Sequence, residues 1–194
     1  MFYLLSSDDN VEGRSTMKID FGCGQRKKDG YVGVDSLNLP GVDVVHDLNI
    51  FPYPFDDSTA DDIWMDNVLE HLDKPLKVME EAFRISRNGA RVVVGVPYFR
   101  SFYAIIDPTH KNYFGVWWFN YFDPSHPFHS HYGYTKAQFK LNRLEFDREF
   151  KSGTMRLHHK MLVWLAGKYP YSYEARISHL FPLSSLTYYL TTVK

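Results

Sequence analysis

A chain of 194 residues suits one domain with a sizeable core. Its formal net charge of -1 lacks the basic excess of a general nucleic-acid binder, and its single cysteine, Cys23, excludes an intrachain disulfide. No apolar run reaches the roughly 18 residues of a membrane span, and the apolar start at Met1 lacks a basic n-region, so we expect a cytoplasmic chain without stable membrane insertion.

Residues 1–16 are largely polar after the first few positions and read as an N-terminal arm; 17–194 read as a single domain. Met17–Phe21 predicts a short strand that exits into the glycine turn Gly22-Cys23-Gly24. Tyr31–Asp35 predicts a second strand and Val42–His46 a third, each closed by an acid, Asp35 and Asp47. Asp61–Met65 predicts a fourth. Asp73–Arg87 predicts a helix with Leu76, Met79, Ala82 and Phe83 on one face, Asp73 as its cap and Gly89 closing it. Ala90–Val96 is apolar and β-branched, the pattern of a strand buried on both faces.

The stretch from about 98 to 140 has little period and many rings, among them Trp117, Trp118, Phe119, Tyr121 and Phe122. It reads as a lid over a sugar or aromatic substrate, as a packed subdomain, or as a homodimer surface. Arg143–Phe150 predicts a strand, Met155–Lys168 and Tyr173–His179 predict helices, and Leu186–Val193 predicts a last strand. The apolar segment Met161–Ala166 reads as core or interface, with contact to a lipid-linked substrate as the other option. Strands alternating with crossovers imply an α/β fold whose mostly parallel sheet is covered on both faces. Ligands of such sheets sit at the strand C-termini, and here those ends carry glycines, acids and Asn67.

Taken together, Asp20-Phe-Gly-Cys-Gly24, Gly33-Val-Asp35, His46-Asp47-Leu48, Asn67-Val-Leu-Glu-His-Leu72 and Asn88-Gly89-Ala resemble class I S-adenosylmethionine-dependent methyltransferases, closest to the small type-11-like group. The resemblance implies a Rossmann-like, seven-stranded, mostly parallel sheet with an antiparallel last strand. It implies S-adenosylmethionine (SAM) as cofactor and methyl transfer to a small-molecule acceptor, with a sugar or polysaccharide-pathway hydroxyl as the first expectation. Carried over by position, Asp20, Gly22, Cys23 and Gly24 line the methionine and ribose part, Asp35 holds the ribose hydroxyls, Asp47 and Leu48 flank the adenine, and Asn67 lies near the sulfonium.

One departure stands out. Only about seven residues separate Gly24 from the second strand, whereas a parallel crossover normally takes about a dozen, so the first helix is shortened or absent. Lys27 stands where a dinucleotide fingerprint has its third glycine, which counts against NAD. With no full helix dipole at hand, Arg26 or Lys27 is expected to meet the cofactor's carboxylate, against the plainer reading of a solvated turn. The expected catalytic residues are His110, Asp107 and His71, with Asp107 orienting His110. His126, His129 and His131 have metal-like spacing but no helix face or cysteine to join them, so no metal site is expected. A SAM-binding regulatory or partner subunit without catalysis is the alternative function.

Overall fold

The computed structural model describes residues 16–148 and 156–194; positions 1–15 of the expected arm and residues 149–155, where the expected strand 143–150 ends and the expected helix 155–168 begins, lie outside the described part. Seven strands run in chain order: β1 (Met17–Phe21), β2 (Val32–Asp35), β3 (Val44–Val45), β4 (Ala60–Asp66), β5 (Ser86–Pro97), β6 (Phe139–Phe146) and β7 (Ser185–Thr192). They form one sheet in the order β3-β2-β1-β4-β5-β7-β6. The pairs β1–β2, β1–β4, β2–β3 and β4–β5 are parallel. β7 inserts between β5 and β6, antiparallel to both. The expected mostly parallel, Rossmann-like sheet with an antiparallel last strand is therefore what the chain forms.

Period-two alternation divides the sheet into two unlike faces. Ile19, Phe21, Ile63, Met65, Val92 and Val94 are buried in one hydrophobic cluster. Helix α1 (Pro75–Ile85) adds Val78, Met79, Ala82 and Ile85 to it, spaced as one helical face. The opposite side of β1, β4 and β5 carries Asp20, Asp62, Trp64, Asp66 and Arg91. Long cations cover it: Lys28 and Arg148 lie 4.0 and 4.8 Å from the Trp64 ring, and Arg91 pairs with Asp62.

Here the structure departs from a sheet with helices on both faces. Among the described residues, no helix lies between β1 and β2, between β2 and β3, or between β3 and β4. The shortened first crossover was legible in its length. The other two are turn segments holding Pro40-Gly41 and the prolines 52 and 54, which cannot sustain helical hydrogen bonding.

Several element ends also move. Helix α1 starts at Pro75 rather than at a capping Asp73. The Asp73 N–H donates to Asn49 Oδ1, and its carboxylate pairs with Lys111. The helix stops at Ile85 and β5 begins at once. Gly89, with φ of +79°, therefore lies inside the strand and closes no helix. β6 begins at Phe139, inside the stretch expected to be irregular, and its register shifts between Leu141 and Arg143.

The aromatic stretch packs as a subdomain around buried Phe114, Phe119 and Phe122. It contains the short helices α2 (Phe102–Ile106) and α3 (Pro127–Tyr132), while Tyr113, Trp117 and Tyr134 keep exposed rings. Helices α4 (Leu157–Lys168) and α5 (Pro170–Arg176) follow; Trp164 of α4 is exposed and Ala166 buried. No described helix is long and apolar enough to cross a membrane.

Candidate functional site

The glycine turn is built by backbone geometry. Gly22 and Gly24 have φ of +65° and +52°, which glycine adopts freely. The N–H groups of Gly22 and Cys23 both donate to the Val34 carbonyl, tying the turn to β2. Asp35 then clamps it: one carboxylate oxygen accepts from Gly24 N–H at 2.9 Å and the other from Leu37 N–H at 3.0 Å. Asp20 is 5% exposed and accepts from Lys28 N–H at 2.8 Å; burial pushes its carboxyl up, against that bond. Asp47 receives the Asn49 N–H, and Leu48 is buried beneath, its carbonyl accepting from Tyr53.

Asn67 leaves β4 with φ of +55°, an uncommon conformation for a non-glycine residue, and its N–H donates to Gly95. Three cavities meet at this residue. One, of about 540 Å³, runs from Asp20 and the Gly22–Gly24 turn to Trp64 and Asp66. A second, of about 300 Å³, is walled by Asp35, Asp47, Leu48 and Val68. The third, of about 370 Å³, holds Glu70, His71, Asp107 and His110 below Tyr103 and Ile106 of α2. The structure thus gathers eight of the nine expected cofactor residues along two joined cavities, and all three expected catalytic residues in the third.

Lys27 is the exception. Its Nζ pairs with Asp43 at 2.8 Å, and its side chain packs against Gly33, where a Cβ would meet Lys27 Cδ. It turns to the β2–β3 connection, away from the cleft that Arg26 and Lys28 line. Sequence reasoning missed Lys28, Trp64, Asp66 and Glu70. The alternation Asp62-x-Trp64-x-Asp66 on β4 carried a signal for the strand pair: one polar face ending at Asn67.

In the third cavity, Thr109 organises the groups. Its hydroxyl donates to Asp107 at 2.6 Å and its N–H to the same oxygen at 2.8 Å, which holds the Asp107 carboxyl below its ordinary value. His71 Nδ1 lies 2.9 Å from that hydroxyl. Burial first, then His110 beside it, lowers the His71 pKa. His110 Nδ1 donates to the Ala104 carbonyl at 3.1 Å, whereas Asp107 is 3.9 Å from His110 Nε2. Asp107 therefore acts on His71 through Thr109, and the backbone, not Asp107, orients His110. Glu70, 1% exposed, has its carboxyl pushed up to about 8 by burial.

The histidine run is used structurally. His126 Nδ1 accepts from Phe128 N–H at the start of α3, and His129 Nδ1 bonds the Tyr121 carbonyl.

Residues 26–94 match the family model described as methyltransferase domain, type 11. The fold is similar to that of a SAM-dependent methyltransferase from Archaeoglobus fulgidus, at 17% identity over 91% of this chain and 86% of that one, with a TM-score of 0.52. It is similar to the chain complexed with the Haloferax volcanii Trm112 methyltransferase activator, at 15% identity, 92% and 83% coverage and a TM-score of 0.55. A SAM-dependent methyltransferase from Aquifex aeolicus follows at 16% identity, 92% and 82% coverage and a TM-score of 0.50. No curated protein matches the sequence. The family match and the shared fold bear out the resemblance to class I methyltransferases of the type-11 group.

Proposed function

We propose that this protein is a SAM-dependent methyltransferase acting on a hydroxyl of a small molecule. The observation that carries the reading is the meeting of three cavities at Asn67: two fit the halves of a nucleoside–amino acid cofactor, and the third is walled by imidazoles and carboxyls.

The residues fit SAM. The turn at Gly24 is open, since a Cβ there would touch nothing within 4 Å, so a ligand can approach the backbone closely. Asp35 accepts one N–H on each oxygen and retains lone pairs for two ribose hydroxyls. Asp47 and Leu48 offer an acceptor and an apolar wall for the adenine. Arg26 and Lys28, with Asp20 and Asp66, supply both signs of charge for an amino-acid zwitterion. When bound there, SAM supplies an activated methyl group at the boundary with the third cavity.

The acceptor binds in that cavity, whose volume suits a small molecule. His71 and His110 present Nε2 atoms to the acceptor hydroxyl, and Asp107 serves as a positioning residue through Thr109. Tyr103 and Ile106 exclude water from one side. A sugar or polysaccharide-pathway hydroxyl is the proposed acceptor class. The test is turnover of SAM to S-adenosylhomocysteine (SAH) across a panel of hydroxylated acceptors, with His110→Ala as control. Turnover that falls 100-fold or more in His110→Ala supports the reading. Saturable SAH binding with no turnover on any acceptor would favour a SAM-binding partner subunit instead.

A further inference from the structure

The third cavity contains a group with no partner inside the protein. Neither carboxylate oxygen of Glu70 has a hydrogen bond, although the side chain is almost completely buried. Burying a carboxyl without a hydrogen bond or a counter-charge is unfavourable, and a fold that keeps one has a use for it. His71 and His110 stand beside it, their ring centroids 4.7 Å apart and edge to face. Among the described residues, this is the one set of His, Cys, Asp and Glu side chains whose ligand atoms converge, each within 4.8 Å of the others.

The surroundings of the two imidazoles settle which nitrogen is free to ligate. Thr109 gives its hydroxyl proton to Asp107, so its oxygen can only accept from His71, which must carry its proton on Nδ1. The Ala104 carbonyl likewise accepts from His110 Nδ1. Both Nε2 atoms are thereby left as lone pairs. An imidazole whose far N–H is held by a carbonyl, or by a carboxylate through a hydroxyl, is the arrangement that metal-binding histidines use.

We propose that Glu70, His71 and His110 hold one divalent first-row transition ion, with its open positions facing the acceptor cavity. This rests on reading that cavity as the acceptor site. Two imidazoles and one carboxylate suit zinc, iron, manganese or cobalt better than magnesium or calcium, which favour all-oxygen sites. Ligands about 2.1 Å from an ion stand at most about 4.2 Å apart, so loading draws the three atoms in by roughly half an ångström. The ion takes the place of a carboxyl proton and gives the unpartnered Glu70 oxygens a partner. With both Nε2 lone pairs on the ion, the ion takes over their contact with the acceptor: it lowers the pKa of an acceptor hydroxyl that ligates it, the proton passes to water and the oxygen keeps the electron pair.

The test is titration of untagged, chelator-stripped protein with Zn²⁺ against a chromophoric competitor, and separately with SAH. The proposal expects one ion per chain, with affinity falling roughly 100-fold or more in His110→Ala and in Glu70→Gln. Thr109→Val, at an exposed position, should fall about 10- to 100-fold, because the His71 tautomer is no longer fixed. A His131→Ala/His158→Ala variant, lacking two exposed imidazoles, should bind as wild type does. No ion on the wild type, or equal affinity in Glu70→Gln and His110→Ala, would overturn it. SAH binding without Zn²⁺ binding removes the ion site and leaves the methyltransferase reading standing; Zn²⁺ binding without SAH binding does the reverse.

Discussion

Gly22 has no room for a side chain, and the amount it lacks can be divided into two parts. A Cβ at this position would fall inside the van der Waals shell of Val68 Cγ2, 2.9 Å from Cγ1 and 3.1 Å from Cβ. Its φ of +65° would cost an alanine about 1–2 kcal/mol on top of that. Overpacking adds about 1–3 kcal/mol, so Gly22→Ala should lower stability by roughly 2–5 kcal/mol. Val68→Ala alone removes two buried methyl groups and should cost about 1.5 kcal/mol. In the double variant both Cγ atoms are gone, so the backbone part of the glycine substitution remains with only the 3.1 Å approach to the residue-68 Cβ, and most of the overpacking vanishes. Urea unfolding of the four proteins should then show a favourable coupling of about 1–3 kcal/mol. Costs that add to within about 0.5 kcal/mol would refute the reasoning, because they would mean that Val68 does not close the space behind the turn.

Arg84 ties the 53–57 loop to α1 through the Tyr53 and Phe55 carbonyls, Asp57 and Glu81, so Arg84→Met should cost about 2 kcal/mol by chemical denaturation. Burial alone would raise the Glu81 carboxyl, but hydrogen bonds from Arg84 and Tyr53 N–H hold it below its ordinary 4.5. That contribution is present above pH 4.5 and lost as pH falls through the lower folded value, so Arg84→Met should lose less stability in acid than wild type. Trp64 has Lys28 and Arg148 against its ring and lines the cleft proposed for the cofactor; SAH should change its fluorescence, and Trp64→Phe should abolish the change. Asp147 is 1% exposed and accepts the Ser184 and Ser185 N–H groups at the start of β7. Asp147→Ala should cost about 3 kcal/mol, read as a lowered melting temperature.

Much of this architecture was legible because it rests on short-range signals. The β-branched run 90–96 and the acids at 35 and 47 are read from strand period and strand ends, and seven strands stand close to where those patterns fall. The expected cofactor residues came from the family resemblance, and eight of the nine line the two cavities at those strand ends. What was hidden depends on partners distant in sequence. Lys27 turns away because Asp43, sixteen positions on, captures it. Asp73 does not cap α1 because Asn49 and Lys111 take its backbone and its carboxylate. The orientation of His110 by Ala104, and of His71 by Thr109 across 38 positions, arises only when the segment after β5 folds back over the 3-10 turn Leu69–His71. Glu70 looked like part of a turn motif; its isolation is a property of the packed cavity.

The central claim is the cofactor cleft at Asn67, and calorimetric titration of the purified protein with SAH tests it most directly. In the proposed cleft Asp35 would accept two ribose hydroxyl hydrogen bonds on its carboxylate, each worth about 1.5–3 kcal/mol, and it also holds the Gly24 turn. The account predicts saturable one-to-one binding that Asp35→Ala weakens roughly 100-fold or more, with the variant still folded. Absence of SAH binding in folded wild-type protein, or equal affinity in Asp35→Ala, would contradict it.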